Sequence, residues 1–423
     1  MGRFACLMKQ HFLKSFGLVA LLATLACRPS FAADSPQFRG PNRDGLFPET
    51  GLLKTWPEEG PPVTWTAQGI GGGFSSAIIV GGKVYVTGML GDDAGNLFVL
   101  DEAAGTILNT FPYGPETLDE QAQGPRSTPT FDNGKLYFLS GLGVIYCMNA
   151  ADGSILWSVD TVERFGARQI TWDYSESLLV DGDQVLCTPG GPEALVAALD
   201  KNSGKTLWTT TGLDDTTSYC SPIIVNHGGS RMLLNATGTH IVGVDPDSGA
   251  LRWSFYHKAN YDIHGVTPVY LNGLVYYTAG DGIGGGALEI APDGGSVASK
   301  WTDTTLDGLH SGVVLIDGHL YGTGYKGGGK LVCLEMTTGK VVWDTREVRE
   351  GALIAADGML YIYEGPRKGV VNLVKASPDG FERTGTFSVT EGTGKHWAHP
   401  TLANGILYIR HGDALIAYTV KLP

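Results

Sequence analysis

The chain contains no adjacent cysteines and no C-x-x-C pair, although it has six cysteines in 423 residues. Zinc ribbons and thioredoxin-like redox motifs are therefore excluded. Cys147, Cys187, Cys220 and Cys333 stand far apart; one or two disulfides could join them, but Cys147 and Cys333 lie in apolar strand patterns and read first as small buried hydrophobes. Positive charge is scarce, with 30 Lys and Arg against 43 Asp and Glu and a formal net charge of −13, which argues against nucleic acid and anionic lipid as partners. No apolar run reaches the length of a membrane-spanning helix. No G-x-S-x-G elbow, H-x-H or H-x-x-x-H spacing occurs, so neither a hydrolase of that type nor a metal centre is expected.

The N-terminus has the order of a secretory signal. Arg3, Lys9 and Lys14 precede an uncharged apolar run from Phe16 to Ala26, then a small-residue site at Ser30-Phe31-Ala32. Residues 1–32 are read as a signal peptide, which predicts an exported protein, periplasmic or extracellular. Cys27 leaves a lipoprotein alternative open, against which Thr24 stands where an aliphatic residue is usual. Removing the four basic residues of the leader takes the net charge from −13 to −17.

Glycine is abundant, 61 residues, and it falls in two recurring patterns. In the first, an apolar strand is followed by Asp or a turn residue, Gly, a short apolar stretch and usually Trp. Trp157, Trp208, Trp253, Trp301 and Trp343 are spaced by 51, 45, 48 and 42 residues. A period near 45 is the size of one four-stranded propeller blade. In the second, Asn-Gly or Asp-Gly precedes an apolar residue and Tyr, as in Asn133-Gly134-Lys135-Leu136-Tyr137 and Asp357-Gly358-Met359-Leu360-Tyr361. Such pairs supply the positive φ angles that two-residue hairpin turns require. Counting a looser copy from Ile223 to Leu233, eight copies are present.

The fold predicted is all-β: an eight-bladed β-propeller of four-stranded antiparallel blades. The last repeat stops at Leu415 to Val420 without its Trp strand, whereas Gly60-Pro61-Pro62-Val63-Thr64-Trp65 is such a strand without a blade. The N-terminal strand is therefore expected to close the last blade and remove the aggregation-prone edge. Residues 33–62 form an N-terminal extension, residues 63–423 the propeller, and a monomer is expected.

The Asp-x-x-x-Gly-x-x-x-Trp series, as in Asp200 to Trp208 and Asp245 to Trp253, resembles the PQQ-like (pyrroloquinoline quinone) repeat over nearly the whole chain beyond the leader. The phrases Pro36 to Gly45, Gly124 to Thr130 and Tyr174 to Ser177 resemble an exported bacterial subgroup, similar both to the lipoprotein scaffold of outer-membrane barrel assembly and to the quinoprotein alcohol dehydrogenases. The resemblance implies the fold and leaves two functions: a binding or scaffold protein for an envelope protein, small molecule or carbohydrate, or a PQQ-dependent oxidoreductase acting on alcohols or sugars. The dehydrogenases typically carry adjacent cysteines over the quinone, which this chain lacks. PQQ with calcium is thus not supported, and no dehydrogenase residue can be carried over.

Repeat alignment places one residue per blade in the loop entering the innermost strand: Phe74, Arg126, Ser175, Tyr219, Gly265, His310, Glu350 and Trp397. These differ chemically while the strands around them repeat, as expected of a binding mouth. Arg168, Trp172, Tyr174, Glu176, His264, His396 and His399 lie in the same loops. Arg126 and Arg168 could hold a carboxylate or phosphate, or only brace neighbouring carbonyls. Trp172 and Trp397 could stack a planar ligand, or only fill a junction. His264, His310 and His396 come from different blades and read as hydrogen-bonded side chains.

Overall fold

The computed structural model describes residues 34–365 and 369–422. The predicted signal at 1–32, with Cys27, lies outside them. Among the described residues, 32 strands form eight four-stranded antiparallel sheets, in seven of which the strands follow chain order. The remaining sheet combines Val63–Gln68 with Ala414–Thr419, Ile406–His411 and Thr401–Ala403. Trp65 pairs with Ala417 and Gln68 with Ala414, so the head of the propeller closes its tail as the truncated repeat implied. Among the described residues, helix is confined to one five-residue turn at Thr161–Phe165 and two 3-10 turns.

Blades are numbered from the one beginning at Ile78–Val80. Their hairpin turns have the predicted geometry: Asn133, Asn272, Asp317, Asp357 and Asn404 all have positive φ, and each precedes a positive-φ glycine. Every outermost strand carries a bulge opposite the third strand of its blade. The bulge raises local twist, which suits a strand at the widest part of a blade.

Adjacent blades are locked through the repeat's Trp and Gly. The Trp157 indole donates to the Lys201 carbonyl at 3.1 Å and Trp301 to Met336 at 3.1 Å, each reaching the next blade's turn. The turn glycine lies against the ring: a Cβ on Gly204 would stand 2.8 Å from Trp157. Trp65 treats Gly105 and the Glu102 carbonyl alike, carrying the contact across the closure. Trp253 is an exception. It folds over Gly243 of its own blade, where the missing Cβ leaves room, and its N–H finds no partner. The four cysteines are free and buried, so no disulfide joins them.

Residues 34–47 do not trail on the surface; they fill much of the central channel. Ser35 bridges Ile79 of blade 1, the Pro36 carbonyl accepts from Phe131 of blade 2, and the Gly45 carbonyl accepts from Ala355 of blade 7. Two buried arginines reach the other walls. Arg43 donates to the Ser177, Leu178 and Pro222 carbonyls of blades 3 and 4, and Arg39 to the Val313 and Leu353 carbonyls of blades 6 and 7. Burial lowers both guanidinium pKa values to about 10, which still leaves them charged at neutral pH. This plug was not foreseen in the extension.

The inter-blade lock is testable at two left-handed glycines. Gly105→Ala places a Cβ into the Trp65 ring, whereas nothing lies within 4 Å of Gly182. Both substitutions incur the left-handed penalty of roughly 1 kcal/mol, and only the first adds overpacking, for about 2–4 kcal/mol in all. Urea unfolding should show Gly105→Ala clearly less stable than Gly182→Ala.

Candidate functional site

The loops entering the inner strands lie around one mouth of the channel and form two contact groups. The first draws on blades 6, 8 and 1. Trp397 packs its ring 5.4 Å from Phe74 and 5.5 Å from His310. Lys395 Nζ lies 4.1 Å above the same indole and donates to the Gln121 carbonyl at 2.7 Å, tying the blade 8 loop to the one before Arg126. Glu350 of blade 7 approaches His310 Nε2 at 3.7 Å. Burial holds Glu350 up near pH 7, helped by Asp307, and pushes His310 down to about 4, helped by Lys395. At neutral pH His310 is therefore an uncharged imidazole.

The second group comes from the loops before blades 3, 4 and 5. Trp172 lies 5.4 Å from Tyr261 and 6.3 Å from Tyr219, whose hydroxyl accepts from the Trp172 backbone N–H at 2.9 Å. The backbone here turns left-handed at Asp173, Tyr261 and Asp262, with φ of 59°, 53° and 59°; the two Asp adopt this conformation readily, whereas the bulky Tyr261 is strained in it. Side chains hold those turns. Asp173 accepts from Thr117 and Gln169, and Ser218 donates to the Asp262 carbonyl at 2.6 Å. Arg126 stands near this group; burial lowers its pKa against the raising influence of Asp173 and Tyr219. Its Nε and Nη2 are sealed from solvent and carry no hydrogen bond. The Tyr219 phenol is pushed up to about 12 by burial, so it stays protonated.

Trp397 and His310 thus meet directly, as do Trp172 and Tyr219. The other candidates have their partners elsewhere in the structure. Arg168 pairs with Asp214 at 2.7 Å on the surface, where both side chains are about half exposed. Tyr174 is buried in the core between blades 2 and 3 and donates to the Arg168 carbonyl. Glu176 accepts from the Thr188 N–H and hydroxyl. His264 bonds the Thr237 carbonyl at 2.7 Å and His257 at 2.9 Å, and His396 bonds Tyr363 and stacks on His411 at 3.8 Å. His399 bonds the His310 carbonyl. These polar groups point inward because the loops need internal partners for their backbone. A Cβ on Gly265 would collide with Leu309, so that position projects nothing.

Tyr261 and Lys395 were not anticipated. Tyr261 precedes the aligned position Gly265 by four residues in the same inter-blade loop, and Lys395 precedes the aligned Trp397 by two. Arg39 and Arg43 lie in the Pro36 to Gly45 phrase, which carried the family resemblance but gave no sign that they reach distant blades.

A sequence profile for the family described as outer membrane protein assembly factor BamB matches residues 93–345 and 285–380. Two curated proteins match over shorter stretches. The quinoprotein ethanol dehydrogenase of Pseudomonas aeruginosa is 26% identical over 147 residues, 32% of this chain and 23% of that one. The quinoprotein alcohol dehydrogenase PedH of Pseudomonas putida is 28% identical over 176 residues, 39% of this chain and 28% of that one. Among solved structures, BamB from Moraxella catarrhalis superposes with a TM-score of 0.59 at 15% identity, covering 85% of this chain and 99% of that one. The quinohemoprotein alcohol dehydrogenase from Comamonas testosteroni gives 0.66 at 12% identity, covering 92% and 81%. At these identities the structural likeness is one of fold.

The buried histidines set an acid limit. Burial depresses His264 from 6.5 to about 3. Between those values the unfolded chain binds a proton that the folded chain refuses, so this contribution to stability is complete above pH 6.5 and is lost as pH falls toward 3. Glu176 is raised from 4.5 to about 7 and acts oppositely, favouring the fold below 4.5 and losing that advantage as pH rises toward 7. His264→Gln is expected to reduce the slope of urea stability against pH between 4 and 6 by up to one proton, about 1.4 kcal/mol per pH unit.

Proposed function

This chain belongs to the family of the outer membrane protein assembly factor BamB, and from that premise we propose that it is an exported, non-catalytic scaffold propeller that engages an envelope protein through its loop-bearing mouth. One observation carries the reading. Trp172, Tyr219 and Tyr261, from three successive inter-blade loops, form an aromatic platform whose outermost member, Tyr261, is left-handed and 63% exposed. A bulky residue such as Tyr261 in the left-handed region costs about 1–2 kcal/mol and persists where the surrounding structure over-determines it, often at functional sites. Tyr and Trp are enriched among residues that dominate binding energy at protein interfaces, because a rigid ring buries much area at little entropic cost. Arg126 beside them supplies positive potential in an otherwise acidic molecule.

The local matches to quinoprotein dehydrogenases favour a second reading, an oxidoreductase acting on alcohols or sugars with PQQ and calcium. The residues present do not fit that pair. Among the described residues no three His, Cys, Asp or Glu side chains are grouped to hold a metal, Glu350 stands at the mouth with only His310 3.7 Å away, and two neighbouring carboxylates are engaged by the loops. Asp307 accepts from the Gly282, Tyr325 and Lys326 N–H groups, and Glu116 from Tyr113 and Gly141. No step is derived through the quinone.

Two measurements separate the readings. A photo-crosslinking amino acid in place of Tyr261 is expected to give discrete envelope-protein adducts in cells, at least tenfold weaker when combined with Trp172→Ala. The same label in place of Leu207, on the outer wall, should give none. Absence of discrete adducts at 261, or adducts indifferent to Trp172→Ala, would overturn the scaffold reading. So would retention of added PQQ and calcium through gel filtration together with alcohol-dependent dye reduction.

A further inference from the structure

The inner strand of each blade is a sheet edge facing the axis, so alternate residues aim their backbone N–H and C=O into the channel. The hairpin register identifies those residues. Val80 and Lys83 flank the first turn as a bonded pair, which leaves Ile79 facing the channel, and there it exchanges two bonds with Ser35, at 2.8 and 3.0 Å. Phe131 occupies the same register position in blade 2 and donates to the Pro36 carbonyl at 2.8 Å. Ala355, its counterpart in blade 7, donates to Gly45 and accepts from Phe47, both at 2.8 Å.

By this rule the corresponding residues of blades 3 to 6 are Val180, Ile224, Tyr270 and Leu315, each one or three residues ahead of its turn. The plug forms no backbone hydrogen bond with any of them. All four instead line a cavity of about 490 Å³ that separates this arc of the channel from plug residues 37–46. Burial of the inner strands reaches its minimum at blades 4 and 5 in the middle of this arc, while Leu179–Asp181 of blade 3 is buried as Thr130–Asp132 of blade 2 is. Gly351–Ala356 and Thr401–Ala403 are wholly buried, whereas Val269–Leu271 is half-buried and Ile223–His227 half-buried to exposed.

We infer that this cavity is a docking site for a short extended peptide, whose backbone pairs with the channel edges of blades 3 to 6 as residues 35–47 pair with those of blades 1, 2 and 7. A lipid or apolar small molecule could fill the volume, but it would leave the ordered rows of donors and acceptors unanswered. An extended peptide satisfies both, and its side chains would meet the Leu179, Val225 and Val269 walls. The site is on the turn-bearing side of the plug and is independent of the aromatic platform.

The test uses a capped hexapeptide of alternating threonine and valine, and its analogue N-methylated at alternate amides, which keeps the side chains and removes half of the donors. Hydrogen exchange measured by NMR on the full propeller should show the parent peptide protecting the Val180, Ile224, Tyr270 and Leu315 amides at least tenfold, with Ile79 unchanged. The methylated analogue should protect at least tenfold less. Ile224→Pro removes one channel-facing donor at an edge position that proline tolerates, and it should weaken binding without lowering the thermal midpoint appreciably. No protection at millimolar peptide, or equal binding of the methylated analogue or of dodecyl maltoside at the same amides, would overturn the inference. If Ile224→Pro unfolds the chain, the comparison of the two peptides still decides.

Discussion

Unpaired backbone along sheet edges governs this molecule. A radial blade has two edges, one at the rim where water satisfies it and one at the axis where space is short. A ring built from one continuous chain also begins and ends inside a blade. The segment ahead of the first full repeat answers both demands. Val63–Gln68 completes the eighth sheet, and residues 34–47 enter the channel and pair with inner edges of three blades. Without the former, Ala414–Thr419 would become an open rim strand with an apolar face, the arrangement that templates aggregation.

The arginines of the plug extend its reach where its backbone cannot go. Arg39 and Arg43 donate to five carbonyls on four blades, with no carboxylate closing an ion pair on either among the described residues. A planar guanidinium suits this, because it stays charged through partial desolvation and offers five donors in a fixed fork. Gly45 and Gly312 leave space for the Arg39 head; a Cβ on either would run into it. Sequence, path and charge are therefore coupled within Pro36 to Gly45: glycines admit the guanidinium, and the guanidinium satisfies carbonyls on opposite walls.

The architecture was legible in the sequence because it is written eight times. Asn-Gly and Asp-Gly turns, Tyr on the second strand and the Gly-x-x-x-Trp hairpin each report local geometry, and their spacing reports the ring. The missing last strand and the spare first one could be matched by counting. The plug was not legible. Its contacts are to backbone carbonyls of distant blades, and no repeat predicts what a carbonyl will accept. The mouth was half legible for the same reason. Alignment located Trp397, Phe74 and His310, which meet, but it could not separate side chains aimed at the mouth from those, such as Glu176 and His264, recruited to satisfy loop backbone.

That division bears on how such propellers acquire partners. The repeated frame fixes where each loop leaves its blade, so the loops are free to differ as long as their buried polar groups find bonds. His264, His396 and Glu176 meet that requirement from within, and once they do, the neighbouring residues carry little structural duty. Trp172 and Tyr261 stand in that freed position, packed with Tyr219, whose hydroxyl still takes the Trp172 N–H, and held on left-handed turns by Asp173 and Ser218. Tyr261 keeps a strained left-handed backbone where no core packing requires it, so its conformation has no structural cause within the fold.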